Sequence, residues 1–179
     1  MSKLTIEQVQ ERLQNNDSLS GKDLSGLDLS KFDFTNKQLA ETNFSKCILK
    51  GTIFNGANLE AANFEAANMT KALLLRATFY KANFIDVKCD DVVAIGANFD
   101  MTDFSDVQIT NSDFTQANMY EVSCVKAEFH NVNFKQASFK EATLAGTDFH
   151  QCDLTQADFT KADVTEMKIR DCALTSAIF

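Results

Sequence analysis

The sequence predicts an all-β solenoid that follows a short N-terminal helix, and three observations carry this prediction. A large apolar residue, called the centre below, recurs at every fifth position from Leu24 to Phe179, 32 times without an insertion. A small residue stands two positions before the centre in 27 of these 32 units. Asp or Asn stands directly before the centre in 17 of them.

A five-residue period fits neither an α-helix nor a simple strand, so each unit is interpreted as a short extended piece followed by a bend. Residues two apart on an extended chain face the same side. The centre and the small residue should therefore point inward, and the residue between them outward. Asp and Asn in that outward slot favour turns, because their side chains hydrogen-bond nearby backbone groups. A unit this small cannot bury its apolar side alone, so the units must stack.

Residues 1–21 lie outside the repeat and are predicted to form a helical cap. Thr5 and Gln8 have the spacing of a capping box, and an apolar stripe at helical spacing follows, made by Ile6, Val9 and Leu13. The helix is predicted from Ile6 to Gln14, where it would cover the open end of the first coil. A partner-binding helix is the alternative.

Residues 22–179 are predicted to form the repeat domain. Its first units are irregular, because large residues occupy the slots that hold small ones elsewhere, at Lys22, Leu27, Phe32 and Lys37. Since such side chains would not fit between stacked coils, we expect them to face the cap.

The repeated pattern is Ala-(Asp/Asn)-(Leu/Phe)-X-X, as in Ala57-Asn58-Leu59 and Ala62-Asn63-Phe64, and it resembles the pentapeptide-repeat family over residues 22–179. The resemblance implies a right-handed quadrilateral β-helix in which four units make each 20-residue coil. On that basis 32 units make about eight coils. The sequence gives its own hint of this period, because aliphatic or Ala residues occupy the outward slot at positions separated by multiples of 20, namely Ile53, Leu73, Val93 and Ala173.

Composition limits the functional classes. The net charge of −8 argues against direct nucleic-acid binding. No apolar run is long enough for a transmembrane span, and the polar N-terminus lacks the pattern of a signal peptide. The cysteines are odd in number and all stand in inward slots, which favours small apolar fillers in a reducing cytoplasm over a disulfide framework; they are Cys47, Cys89, Cys124, Cys152 and Cys172.

Six aspartates fall close together in the sequence: Asp86, Asp90, Asp91, Asp100, Asp103 and Asp106. With a 20-residue coil, Asp86 stacks on Asp106, and like charges one layer apart are unfavourable unless they are well solvated. The cluster is either an anionic surface that imitates DNA phosphates, a cation site, or a solvated face that keeps the rod soluble.

An outward apolar patch is predicted from two neighbouring columns. Ile53, Leu73 and Val93 form one column, and Leu75 and Ile95 form the next. A contiguous exposed apolar patch usually marks an interface. The alternative is a local register shift around the weak centre Ala94, in which Val93 or Ile95 turns inward instead.

A histidine pair is the third surface feature. His130 and His150 occupy the same slot of successive coils and should stack on one face, with Glu128 and Asp148 beside them. Imidazoles and carboxylates suit a transition metal, and a pH-sensitive histidine pair is the alternative.

The sequence stops at a centre, where the apolar pair Ile178 and Phe179 would lie on an uncovered coil. This end either stacks on a second copy, continues into a longer chain or is tolerated uncovered, and we favour the first two.

No phosphate-binding loop and no nucleophile pair at a recognisable spacing is visible, so neither an enzyme nor a cofactor is expected. The sequence favours a rigid protein-interaction module with an unidentified protein partner, or a homodimer through the apolar patch or the C-terminal end. Direct contact with nucleic acid or membrane is not expected. The alternative comes from the family resemblance, which implies a DNA-mimicking inhibitor of DNA gyrase of the quinolone-resistance type.

Overall fold

A nine-residue helix, α1 (Ile6–Gln14), opens the part of the chain that the computed structural model describes, residues 3–179. Residues 1 and 2, where the predicted cap begins, lie outside the described residues. The capping box is formed: Thr5 Oγ1 accepts the Gln8 N–H at 3.3 Å, and Gln8 Oε1 accepts the Thr5 N–H at 2.9 Å. Val9 is buried in the hydrophobic core and Leu13 packs against it. The predicted helix is confirmed.

Parallel partners lie one 20-residue coil apart along the whole solenoid. The first such bridge joins Lys3 to Asp23, and the last joins Asp158 to Ile178. One coil has four bridging columns, which pass through residues 23, 28, 33 and 38. The columns define four faces, called first to fourth in that order. The predicted fold class, a β-solenoid of 20-residue coils with a short N-terminal helix, is therefore confirmed.

The second face is extended enough to form strands. These are β1 (Lys88–Asp90), β2 (Gln108–Thr110), β3 (Glu128–His130), β4 (Asp148–His150) and β5 (Lys168–Arg170), and they make one parallel sheet in chain order. The strands of this sheet occupy five coils, whereas the prediction of about eight coils counted the whole solenoid. Single bridges carry the second face further, through Asp28, Ile48 and Asn68 to Lys88. On the other faces single bridges continue the same spacing.

The chain turns at the residue two positions after each centre, called the corner. Every corner from Gly21 to Ser176 has a positive φ between 50° and 70°. The six glycines of the protein all stand at corners, and ordinary residues such as Ala61, Lys71 and Asp86 fill the rest. Left-handed backbone is unfavourable for residues with a Cβ, so the stacked coils must hold these corners in place.

Centres and small inward residues fill the interior. Some phenylalanines one coil apart stack in parallel, as Phe79 and Phe99 do with ring centroids 4.9 Å apart and planes inclined by 6°, and others are tilted, as Phe84 and Phe104 are by 41°. Neighbouring Phe columns meet edge to face, as Phe79 and Phe84 do at 5.2 Å. Both geometries suit the quadrupole of the rings and add to the apolar area that they bury.

Side chains satisfy the backbone in two recurrent ways. The outward Asp or Asn accepts the N–H two residues further on, as Asp113 Oδ1 does from Thr115 at 2.9 Å. Asp148 is the exception within the described chain, since it lies in β4 and binds Arg170. Buried threonines in the small inward slot donate to a carbonyl of the preceding coil, as Thr102 Oγ1 does to Phe79 O at 2.7 Å.

The inward cysteines lie where they were expected. Four of them are buried, Cys172 is half-buried, and all five are free thiols. Burial raises the pKa of the Cys47 thiol to about 11 and that of Cys152 to about 12. Such thiols are held in the protonated, unreactive form, as small apolar fillers should be.

Repeat geometry begins before residue 22. Leu19 is buried, and the Gly21 N–H donates to Ala40 O at 2.8 Å, as at later corners. The Leu4 N–H donates to Asp23 O at 2.9 Å, just as the N–H of the centre Leu24 donates to Asn43 O one coil later. The segment before residue 22 thus supplies both the helix and part of a coil.

Candidate functional site

The five predicted apolar residues lie together on the third face and are called the third-face patch: Ile53, Leu73, Leu75, Val93 and Ile95. Parallel bridges join Ile53 to Leu73 and Leu73 to Val93. Leu75 is 36% exposed, and the other four side chains are half-buried by their neighbours. The patch is therefore continuous over three coils and reaches solvent.

Ala94 keeps its place as the centre of its unit. It is fully buried, and its N–H donates to Asp113 O at 2.7 Å while its carbonyl accepts the Ala97 N–H at 3.1 Å. The register shift considered as an alternative does not occur, so Val93 and Ile95 remain on the outward side.

Polar and basic groups surround the third-face patch. Asp33 and Asp113 continue the column of Ile53 below and above it. Lys71 and Arg76 stand at the two corners beside Leu73 and Leu75. Arg76 leans over the next coil, because a Cβ added to Gly96 would lie 3.6 Å from Arg76 Cγ. An apolar centre with a charged rim is the usual composition of a protein interface.

The predicted acidic cluster separates into different surfaces. Asp86, Asp90 and Asp106 line one depression of about 360 Å³, where the first face meets the second. Asp90 is paired with Lys88 at 3.1 Å and accepts a hydrogen bond from Thr110 Oγ1 at 2.6 Å. These contacts lower the pKa of Asp90 despite its partial burial, which acts in the opposite direction.

The other three aspartates lie elsewhere. Asp91 is an exposed corner between the second and third faces, and Asp103 lies on the first face, where it accepts the Ser105 N–H at 2.9 Å. Asp100 lies on the fourth face, and its Oδ1 is buried without a hydrogen-bond partner in residues 3–179. Burial raises the pKa of Asp100, and the nearby Glu121 adds to the effect.

The histidines stack as predicted, with His130 Nδ1 and His150 Nδ1 3.2 Å apart and ring centroids at 4.8 Å. Their carboxylate neighbours are engaged elsewhere: Asp148 binds Arg170, and Glu128 accepts a hydrogen bond from Gln108 at 3.2 Å. His150 Nε2 lies 3.5 Å from Asp171. The described residues contain no group of three His, Cys, Asp or Glu side chains arranged to hold a metal ion.

The final coil exposes its apolar residues. Ile178 is 53% exposed and Phe179 is 62% exposed, although Phe179 stacks on Phe159 with centroids 4.9 Å apart. The centres Val164 and Leu174 are also exposed.

A depression lined by lysines was not predicted from the sequence. It has a volume of about 400 Å³, lies on the second face in the coils nearer the N-terminus, and is called the lysine depression. Its lining consists of Lys31, Lys50, Gly51, Asn68, Thr70, Lys71, Lys88 and Asp90. These residues are spread over several coils of the chain. Counting the lysines in neighbouring columns, each made of positions 20 residues apart, would have located it from the sequence.

None of the helices in the described chain is both long and apolar enough to cross a membrane.

Two solved structures illustrate what this chain is similar to. QnrB1, described as a plasmid-mediated fluoroquinolone resistance protein, is 17% identical over 86% of this chain and 84% of its own, with a TM-score of 0.66. HetL, a pentapeptide repeat protein involved in heterocyst differentiation regulation in the cyanobacterium Nostoc, is 19% identical over 97% and 96%, with a TM-score of 0.36. No curated protein matches the chain.

Two family models match almost the whole repeat region. The model described as pentapeptide repeats (8 copies) matches residues 18–56 and 57–88, and the model described as a pentapeptide repeat region matches residues 102–179. Together with the 20-residue parallel pairing, these matches show that the chain belongs to the pentapeptide-repeat family.

Proposed function

We propose that this protein is a rigid, non-enzymatic interaction module whose third-face patch is covered by another protein. The observation that carries the proposal is the continuity of five aliphatic side chains over three coils, on an outward surface that elsewhere holds mostly Asp, Asn, Ser and Thr. Aliphatic residues in contact with water are stabilised when a partner removes them from it.

The backbone under the third-face patch is suited to binding without rearrangement. Phe54 N donates to Leu73 O at 2.7 Å, Leu74 N donates to Val93 O at 2.7 Å, and Leu75 N donates to Asn55 Oδ1 at 3.0 Å. Because these bonds hold the backbone that carries the outward side chains, little backbone conformational entropy is lost on association.

The charges beside the patch favour a different protein over a second copy. A two-fold axis through the centre of the patch would set Lys71 and Arg76 of one copy opposite the same basic residues of the other. Like charges facing each other across an interface are unfavourable. The partner should therefore present apolar side chains with an acidic rim. The free, buried thiols favour a reducing cytoplasm as the place where it is met.

The first experiment compares the wild type with Leu73→Glu, which sets a charge in the centre of the patch. Thr175→Glu is the matched control, because it changes the charge equally and stands in the column of Leu75 and Ile95, four coils above Ile95. We expect a monomeric wild type in sedimentation equilibrium, and a cross-linked partner that is captured by the wild type and the control but lost with Leu73→Glu.

Two results would contradict the proposal. Identical capture by all three proteins would exclude the patch as the docking surface. A wild-type dimer that Leu73→Glu dissociates would assign the patch to self-association instead. A dimer that Leu73→Glu leaves intact would not contradict the proposal and would point to Ile178 and Phe179 as the self-association surface.

A second candidate function is a DNA-mimicking inhibitor of DNA gyrase. The observation in its favour is the negative edge formed by Asp86 and Asp106, one coil apart, with Asp90 beside them. It predicts inhibition of gyrase supercoiling that is weakened in Asp86→Asn/Asp106→Asn. Unchanged supercoiling at micromolar protein would remove this candidate.

A further inference from the structure

The lysine depression lies on the second face and shares the corner residue Lys71 with the rim of the third-face patch. Its charge is opposite in sign to that of the molecule. Four lysines line it in a protein whose net charge is −8. Lys31 and Lys71 stand in the same corner column two coils apart, which corresponds to about 10 Å. Lys50 lies on the coil between them. Three lysines therefore line one space over three layers.

Little countercharge balances these three lysines. Lys88 is paired with Asp90 at 3.1 Å, but no carboxylate of residues 3–179 lies within 4 Å of the ammonium groups of Lys31, Lys50 or Lys71. Asp28, one coil below, is affected only weakly by Lys50: the pKa of Asp28 is lowered mainly by Ser30, with Lys50 the smallest cause. Since unpaired cations gathered in one place repel each other, an anion placed among them would be stabilised.

The floor of the depression is open and polar. Gly51 occupies the corner between Lys31 and Lys71, and a Cβ added there would lie 3.9 Å from Lys31 Cγ, so the lysine stem lies beside a bare backbone. Asn68 uses its Oδ1 to accept from the N–H and hydroxyl of Thr70, at 3.1 and 2.7 Å. Its Nδ2 makes no hydrogen bond in the described chain and is an available donor.

We propose that the lysine depression binds a compact polyanion of the phosphate class, with two or more phosphate groups. Lys31, Lys50 and Lys71 supply the charge, and the Asn68 amide supplies a neutral donor. A long polyanion is disfavoured, because the depression that holds Asp86 and Asp106 begins directly above Lys88 and Asp90. Ile48, 41% exposed and bridged to Asn68, offers an apolar contact for an organic group attached to the phosphates.

The test is isothermal titration of the full-length protein with inorganic triphosphate and with adenosine triphosphate at low ionic strength. We expect saturable one-site binding that weakens as salt is added. Lys50→Gln/Lys71→Gln should weaken it at least about tenfold, since two charge-assisted contacts are lost. Lys71→Arg should retain it. Equal affinity for the two ligands means that the phosphates alone are recognised, and tighter binding of the nucleotide means that Ile48 also contributes.

The matched control is Lys126→Gln/Lys135→Gln, which removes the same charge from two exposed lysines outside the depression. It should bind as the wild type does. Amide shifts at Gly51 and Thr70 should follow the titration in NMR spectra. Absence of binding at millimolar triphosphate, or equal weakening by both double substitutions, would overturn the proposal.

Discussion

At the scale of single residues, the corners are the most unusual feature of the molecule. Each has a left-handed φ, yet glycine fills only six of them. Four glycines stand one coil after a long or polar corner residue, and the Cγ of that residue lies near the glycine in all four pairs: Lys31 with Gly51, Asn36 with Gly56, Arg76 with Gly96, and Lys126 with Gly146. Glycine thus leaves room for the side chain of the coil below as well as relieving the backbone.

At equivalent corners, replacing alanine by glycine and replacing glycine by alanine should change the stability of the fold in opposite directions. Ala61 has φ +53°, and Ala61→Gly should stabilise the fold by about 0.5–1 kcal/mol, because relief of left-handed strain exceeds the entropy gained by the unfolded chain. Gly146 has φ +70°, and its nearest Cβ contact would be 3.7 Å, so Gly146→Ala should cost about as much through strain alone. Equilibrium urea unfolding measures both.

Ala62 provides the control, since it is buried and is not among the residues with positive φ. Ala62→Gly should destabilise by about 1 kcal/mol. If Ala61→Gly and Ala62→Gly cost the same, corner strain does not matter in this fold.

Sequence reasoning predicted which residues point inward but not the corner conformation. The five-residue frame determines the direction of Phe64 or Ala72, because only one assignment buries the large residues. Corner residues such as Lys46, Arg76 and Glu141 carry no local preference for a positive φ. Their conformation comes from the coils on either side, which no single unit encodes.

At the scale of elements, the strands differ from the other segments in how the chain leaves them. In units outside the strands, the N–H three residues after a centre donates to the carbonyl of that centre, as Ala72 N does to Met69 O at 2.9 Å. After β1 the Val92 N–H instead donates to Ser112 Oγ at 2.9 Å, and that hydroxyl donates to Thr110 O at 2.7 Å. A buried serine of one coil therefore completes the bend of the coil below.

This difference predicts unequal costs for removing two buried hydroxyls. Ser112→Ala should cost about 1–3 kcal/mol, because the buried Val92 N–H loses its acceptor. Thr102→Val should cost about 1 kcal/mol or less, because Phe79 O keeps the Ala82 N–H at 2.9 Å. Equilibrium unfolding in urea distinguishes them, and a Thr102→Val cost equal to or above that of Ser112→Ala would contradict this account.

The sequence shows Ser112 only as another small inward residue, because its role depends on a bend in the preceding coil. The lysine depression escaped prediction for the same reason: its lysines become neighbours only once the coil length places them in adjacent columns. The third-face patch was predictable because its members repeat one residue class at one spacing, whereas the acidic residues were neighbours in sequence and lie on different faces.

At the scale of the whole molecule, charge is sorted along the rod. On the second face, the coils nearer the N-terminus carry the lysine depression, and an acidic depression lies on the coils that follow. The Lys88–Asp90 pair lines both depressions. Lys71 and Arg76 stand at corners on the two sides of the third-face patch, and the acidic corner Asp91 stands one coil after Lys71, beside Val93. A rod with different surfaces around its circumference can hold different ligands at once, since the interior is packed and the coils do not rearrange.

Acid should weaken the whole solenoid through its outward aspartates. Hydrogen bonds lower the pKa of Asp23, mainly from the Ser25 N–H, and the pKa values of Asp33 and Asp163, mainly from the side chains of the threonines two residues on. A carboxylate whose folded pKa lies below its unfolded value of about 3.9 stabilises the fold above that pH. The contribution is lost as the pH falls through the folded pKa. Asp100, whose pKa is raised, acts in the opposite direction.

We therefore expect unfolding stability to fall below about pH 4, and Asp23→Asn/Asp33→Asn/Asp163→Asn to make this fall shallower. Asn keeps the acceptor and already serves in this slot at Asn43, so stability at neutral pH should change little. The control, Asp86→Asn/Asp91→Asn/Asp106→Asn, removes the same charge from corner residues that lack this hydrogen bond. Urea unfolding from pH 7 to pH 2 measures the three profiles. Equal flattening by both sets would mean that net charge, and not the turn hydrogen bonds, links this fold to pH.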